Sequence, residues 1–145
     1  MQTNTCKSIL VALLMFGSMV SCSKKEEPTS PLDTFKKQLA VAWKINFASL
    51  DGSDVTSYYP NLTISFAPTS FTTTNGVSPL WKPTMNMSII GASAPFHLLR
   101  EDGLDMTVIS IDASKLVLEF QYDAIKLGGR IGSVSGNYHI EFVPQ

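Results

Sequence analysis

Apolar and polar residues alternate with period two along five stretches of the chain. Trp43, Ile45 and Phe47 alternate with Lys44 and Asn46, and Leu62, Ile64 and Phe66 with Thr63 and Ser65. Met85, Met87 and Ile89 alternate with Asn86 and Ser88, and Tyr138, Ile140 and Phe142 with His139 and Glu141. The run Leu116, Leu118, Phe120, Tyr122 is broken by Glu119 and Gln121 in the same way. Successive side chains of a strand point to opposite faces, so each run predicts a strand with one buried and one wet face. On this reading Trp43, Ile45 and Phe47 share the buried face. Phe71 beside Thr72-Thr73-Thr74, Phe96–Arg100 and Met106–Ile111 are weaker strand signals. Asp51-Gly52, Asn75-Gly76, Asp102-Gly103 and Gly128-Gly129 lie between these runs and accept the positive φ of tight hairpins. Pro60, Pro68, Pro79, Pro83 and Pro95 fall in the gaps, where a missing N–H does no harm. Ahead of the first strand the period is helical: Leu32 to Leu39 predicts a short helix with Asp33 as cap and Phe35 and Leu39 on one face. The class is all-β, an antiparallel barrel or sandwich of about eight strands preceded by a short N-terminal helix.

The start of the chain follows another pattern. Ser8 to Val20 is an apolar run behind Lys7. As a helix it spans only about 20 Å, short of a bilayer core, which suits a secretion signal over residues 1–21. Cysteine occurs twice, as Cys6 inside that signal and Cys22 just after it. Cleavage leaves Cys22 alone, so no intramolecular disulfide is expected. Ser23-Lys24-Lys25-Glu26-Glu27-Pro28 and Thr29-Ser30-Pro31 then read as a charged, proline-broken tether over 22–32. Residues 33–145 are left as one domain, large enough to fold on its own core.

Met19-Val20-Ser21-Cys22 resembles the lipobox of bacterial lipoproteins, with Met19 where leucine is usual. The resemblance implies that the Cys22 sulfur carries a diacylglycerol and that the chain is held to the outer membrane of the cell envelope. Several acyl chains hold a protein to a leaflet far better than one. The competing reading is an ordinary signal peptide. Glu26-Glu27 resembles the surface-export signal of Bacteroidetes lipoproteins, against a generic solvated linker. Ala42-Trp43-Lys44, Asp51-Gly52-Ser53-Asp54-Val55-Thr56, Tyr59-Pro60-Asn61-Leu62-Thr63, Phe71-Thr72-Thr73-Thr74-Asn75-Gly76, Arg100-Glu101-Asp102-Gly103 and Ser135-Gly136-Asn137-Tyr138 occur in that order. As an ordered set they resemble the lipocalin-like domains of Bacteroidetes lipoproteins over about residues 38–143. Val41 stands at the glycine of the lipocalin Gly-x-Trp. The resemblance implies a small antiparallel lipocalin-like β-barrel.

Charge and chemistry narrow the functional classes. Beyond residue 21 there are 10 basic and 12 acidic side chains, too balanced for a nucleic-acid surface. His97 and His139 lie far apart in sequence and alternate with apolar neighbours, which predicts outward strand positions and no shared metal. Asp51/Asp54 and Glu101/Asp102/Asp105 coincide with Asp-Gly turns and lack the calcium-loop pattern. The glycine-rich stretch Gly128–Gly136 matches neither a dinucleotide nor a nucleophile-elbow motif. No nucleophile–base pair can be assembled, so no enzyme and no cofactor are expected. Trp81, between Pro79 and Pro83, and Tyr58-Tyr59, before Pro60, are aromatics in proline-bounded loops. They are the expected contacts for a small apolar or glycan-like ligand at a barrel mouth, or else plugs of its end. Two functions follow: a ligand-binding barrel with an open lumen, or an interaction module of a surface complex with a filled one.

Overall fold

The computed structural model of the protein describes residues 29–124 and 134–145. Among the described residues one α-helix, α1 (Pro31–Leu39), precedes nine strands: β1 (Ala42–Leu50), β2 (Ser53–Asp54), β3 (Thr63–Ala67), β4 (Ser70–Thr74), β5 (Thr84–Ile90), β6 (Phe96–Arg100), β7 (Asp105–Ile111), β8 (Leu116–Tyr122) and β9 (Gly136–Pro144). Every pairing is antiparallel. From β3 onward each strand pairs with the next. β1 pairs with β3 near its start and with β9 along its whole length, which closes an eight-stranded barrel. β2 folds back on the end of β1 through the Asp51-Gly52 turn, whose φ angles of 48° and 82° are those of the expected tight hairpin.

All five alternating runs form strands, and so do the three weaker ones. The β1 run departs in one detail. A bulge between Ile45 and Phe47 inserts a residue, so Trp43 and Ile45 face inward, Phe47 sits beside His139 with ring centroids 6.3 Å apart, and Ala48 takes the next buried position. The helix also begins earlier than its pattern suggested, at Pro31, and its cap is Ser30 in place of Asp33. The Ser30 hydroxyl accepts from the Asp33 N–H at 3.1 Å and donates to the Asp33 carboxylate at 2.8 Å. Proline in the first turn needs no hydrogen bond there.

The strand directions give the barrel two distinct ends. The start of β1, the β3–β4, β5–β6 and β7–β8 connections, and the end of β9 share one of them with α1. This is the helix end: Phe35 stacks on Phe96 with centroids 4.2 Å apart, and the fully buried Trp43 donates its indole N–H to the Leu39 carbonyl at 3.2 Å. The β1–β2 turn, the long β4–β5 connection, the β6–β7 turn and the β8–β9 connection lie at the far end. Eight strands enclose a lumen just wide enough for side chains to fill.

Candidate functional site

Trp81 lies in the lumen. Its ring meets Phe71 on β4 at 6.2 Å, Phe120 on β8 at 6.2 Å and Phe142 on β9 at 6.1 Å, each edge to face. β4 and β8 stand opposite one another around the barrel, so a side chain touching both crosses the interior. Such perpendicular contacts add about 0.5–1.5 kcal/mol per pair beyond burial.

The β4–β5 connection is built to deliver this ring. Asn75 has the left-handed φ of 57°. Gly76 then passes so close to the Trp81 carbonyl and the Thr73 hydroxyl that no Cβ fits. The Thr73 hydroxyl donates to the Lys82 carbonyl at 2.9 Å, and the Trp81 N–H donates to the Val77 carbonyl at 2.8 Å. Arg100, inward-facing on β6 and 2% exposed, donates to the Leu80 carbonyl at 2.6 Å and pairs with Asp102 in the next turn. A buried guanidinium needs such partners to offset its lost hydration. One polar atom is left over: the buried Trp81 Nε1 has no hydrogen-bond partner among the described residues.

The other two loop aromatics separate. Tyr59 is buried at the far end, where burial, and then a hydrogen bond to Tyr138, push its hydroxyl above the usual tyrosine range. Tyr138 stacks on Phe120 at 5.2 Å and donates to the Val134 carbonyl at 2.9 Å. Tyr58 is 69% exposed. The structure therefore places Trp81 inside the barrel, Tyr59 buried at its far end and Tyr58 exposed, and does not gather the three on one open platform.

The pattern of outward residues holds a feature that reading single strands missed. His97, Thr107, Glu119, His139 and Ser49 stand in register across five neighbouring strands, β6 to β9 and then β1. His97 Nδ1 lies 2.9 Å from Asp105, and His139 lies between Glu119 at 2.8 Å and Glu141 at 3.3 Å. Lys115 pairs with Glu141 at 2.9 Å. Both nitrogens of His139 face carboxylates, and only the imidazolium donates from both. The Glu119 hydrogen bond accordingly raises the His139 pKa above its ordinary 6.5, while Lys115 and then His139 lower that of Glu141 below 4.5. Beside this row Asp51, Gln121 and Asn137 complete a polar groove of about 630 Å³. Asp51 already accepts from the Asn137 backbone N–H at 2.9 Å. Among the described residues no cluster of three His, Cys, Asp or Glu is arranged to hold a metal. No described helix is long and apolar enough to cross a membrane. Cys22 and most of the glycine-rich stretch lie outside the described residues.

No protein family, curated protein or solved structure matches the chain.

Proposed function

We propose that this is a non-enzymatic cell-envelope lipoprotein, anchored to the outer membrane by lipid on Cys22, whose barrel serves as an interaction module of a surface complex. One observation carries the choice between the two functions: Trp81 occupies the lumen that a ligand would need. A barrel filled by its own side chains has its outside left for recognition, and the polar row from His97 through Thr107 and Glu119 to His139 offers hydrogen-bonding groups to a polar partner. The anchor rests on the lone Cys22 behind the apolar run. In a Gram-negative host the wild type should fractionate with membranes and Cys22→Ser should not; equal partition of both removes the anchor.

A second reading is favoured by the unpartnered Trp81 Nε1. A small apolar ligand with one hydrogen-bond acceptor would satisfy that N–H if the β4–β5 connection swung out, which keeps Trp81, with Tyr59 at the far end and Tyr58 at the rim, as ligand contacts. Titration of a fluorescent fatty acid and of envelope glycans separates the two. The interaction module predicts no saturable response in wild type and uptake of the apolar probe by Trp81→Ala, whose emptied space is apolar. Saturable binding to wild type with a change in Trp81 emission establishes the second reading instead.

A further inference from the structure

The two ends of the barrel differ in charge. At the helix end stand Lys36 and Lys37 on α1, Lys44 on β1 and Lys115 before β8, against Asp33, Asp112 and the Glu141 that Lys115 pairs with, so Lys36, Lys37 and Lys44 carry the positive excess. At the far end stand Asp51, Asp54, Glu101, Asp102, Asp105 and Asp123, against Lys82 and Arg100. Lys126 and Arg130, which the sequence puts between β8 and β9, still leave acids in excess there, six to four. The basic end also carries exposed apolar side chains: Val41 at 43%, Ile90 at 48% and Ile109 at 51%. A groove of about 560 Å³ opens beside Ile109, between α1 and β7, lined by Pro31, Phe35, Phe96, Val108 and Ile111. Tyr58, Val77 and Leu99 are exposed at the other end, but among acids.

We propose that the helix end is a membrane-contacting face that rests on an anionic lipid leaflet. The inference deepens the lipoprotein reading and rests on it for the anchor. Three observations point to lipid as the occupant. Lysines beside an anionic leaflet are attracted, whereas the acidic far end is repelled. Exposed aliphatic side chains among those lysines bury into the interface, as on an interfacial helix. The described chain begins at Thr29, which lines the groove itself. The seven residues from Cys22 to Pro28 reach at most about 25 Å fully extended, so the lipid and this end of the barrel stay close together.

The test uses the full chain, lipidated in the host and purified from its membranes, with the mass reporting the acyl groups. After signal cleavage the only cysteine is the lipidated one, so a single engineered thiol carries a probe. Ile109→Cys reports the helix end and Ser53→Cys the far end. In vesicles of phosphatidylethanolamine and phosphatidylglycerol, brominated lipid should quench the Ile109→Cys probe and leave the Ser53→Cys probe unaffected. Pure phosphatidylcholine should weaken the quenching at Ile109→Cys, and so should Lys36→Glu/Lys37→Glu, by several-fold, while the lipid keeps the chain on the vesicle. Equal quenching of the two probes, or none at Ile109→Cys, overturns the proposal. So does a dimer in detergent that shields Ile109→Cys, because the face then belongs to a second copy. A mass without acyl groups overturns the anchor alone. The face is then judged by flotation of the same chain with phosphatidylglycerol vesicles, and it fails if Lys36→Glu/Lys37→Glu floats like wild type.

Discussion

Trp43 and Trp81 are both fully buried, yet their indole nitrogens meet opposite fates, and that difference is measurable. Trp43 donates to the Leu39 carbonyl and Trp81 donates to nothing among the described residues. Truncation of Trp43 to alanine should cost about 3–5 kcal/mol in a urea melt, because a large buried side chain leaves a cavity. Replacement by phenylalanine isolates the nitrogen. Trp43→Phe loses a hydrogen bond and strands a buried carbonyl, at about 1–3 kcal/mol, whereas Trp81→Phe relieves a buried unsatisfied donor and should cost less. Equal losses for the two would mean that Trp81 Nε1 is satisfied in solution. His139 carries a second residue-scale prediction. Its pKa is raised in the folded state, so its contribution to stability is full below about pH 6.5 and disappears as pH rises through the folded value. The thermal midpoint of wild type should therefore fall further than that of His139→Gln between about pH 6 and about pH 8. The side chain is 35% exposed, so the effect is small and a proton NMR titration is the sharper measurement. A His139 midpoint at or below 6.5 contradicts the carboxylate pairing. Glu141 works in the other direction: its contribution is present above 4.5 and is lost as pH falls through its lowered folded value.

Among the elements, the connection from β4 to β5 depends most on single residues. A Cβ at Gly76 would collide with the Trp81 carbonyl, a backbone atom that cannot step aside without moving the ring. Gly76→Ala should therefore destabilise by about 1–3 kcal/mol and raise Trp81 accessibility to acrylamide, while Gly52→Ala, with open space around it, carries only the strain of its turn. Arg100→Ala should free the same connection by stranding the Leu80 carbonyl and Asp102. Hydrogen exchange at the Trp81 amide should then accelerate before that of the strands. These elements also show where sequence is informative. Period two survives wherever one face of a strand is buried, which is why β1, β3, β5, β8 and β9 were legible. The bulge was not, because Phe47 continues the alternation in sequence and only the pairing with β9 shifts its phase. The fate of Trp81 was not legible either. A ring between two prolines has no periodicity to assign it a face, and Arg100, its support, closes the weak strand signal Phe96–Arg100, in which nothing marks a charged residue as inward-facing. The polar row on the outer face depends on strand register, which no single run contains.

At the scale of the whole molecule, closure is a long-range event. β1 meets β9 through pairs such as Trp43 with Pro144, about 100 residues apart, so the barrel cannot close until nearly the whole chain has assembled. Folding should fall in the millisecond-to-second range of β-rich domains. Removal of residues 138–145 should leave two open strand edges and a chain that aggregates instead of melting cooperatively, as checked by circular dichroism and sedimentation. A cooperative melt in the truncated chain would show that β9 is dispensable. The nearest-neighbour winding has one more consequence. Chain arrives at the barrel through Thr29 and leaves it at Gln145, whose N–H donates to the Ala42 carbonyl at 2.9 Å. Both points are at the helix end. Cargo fused after Gln145 would therefore be crowded against whatever that end faces, whereas a peptide epitope spliced between Asp51 and Gly52 would be displayed on the opposite tip. For an engineer the useful handle of this scaffold is a hairpin, and its tail is the place to avoid.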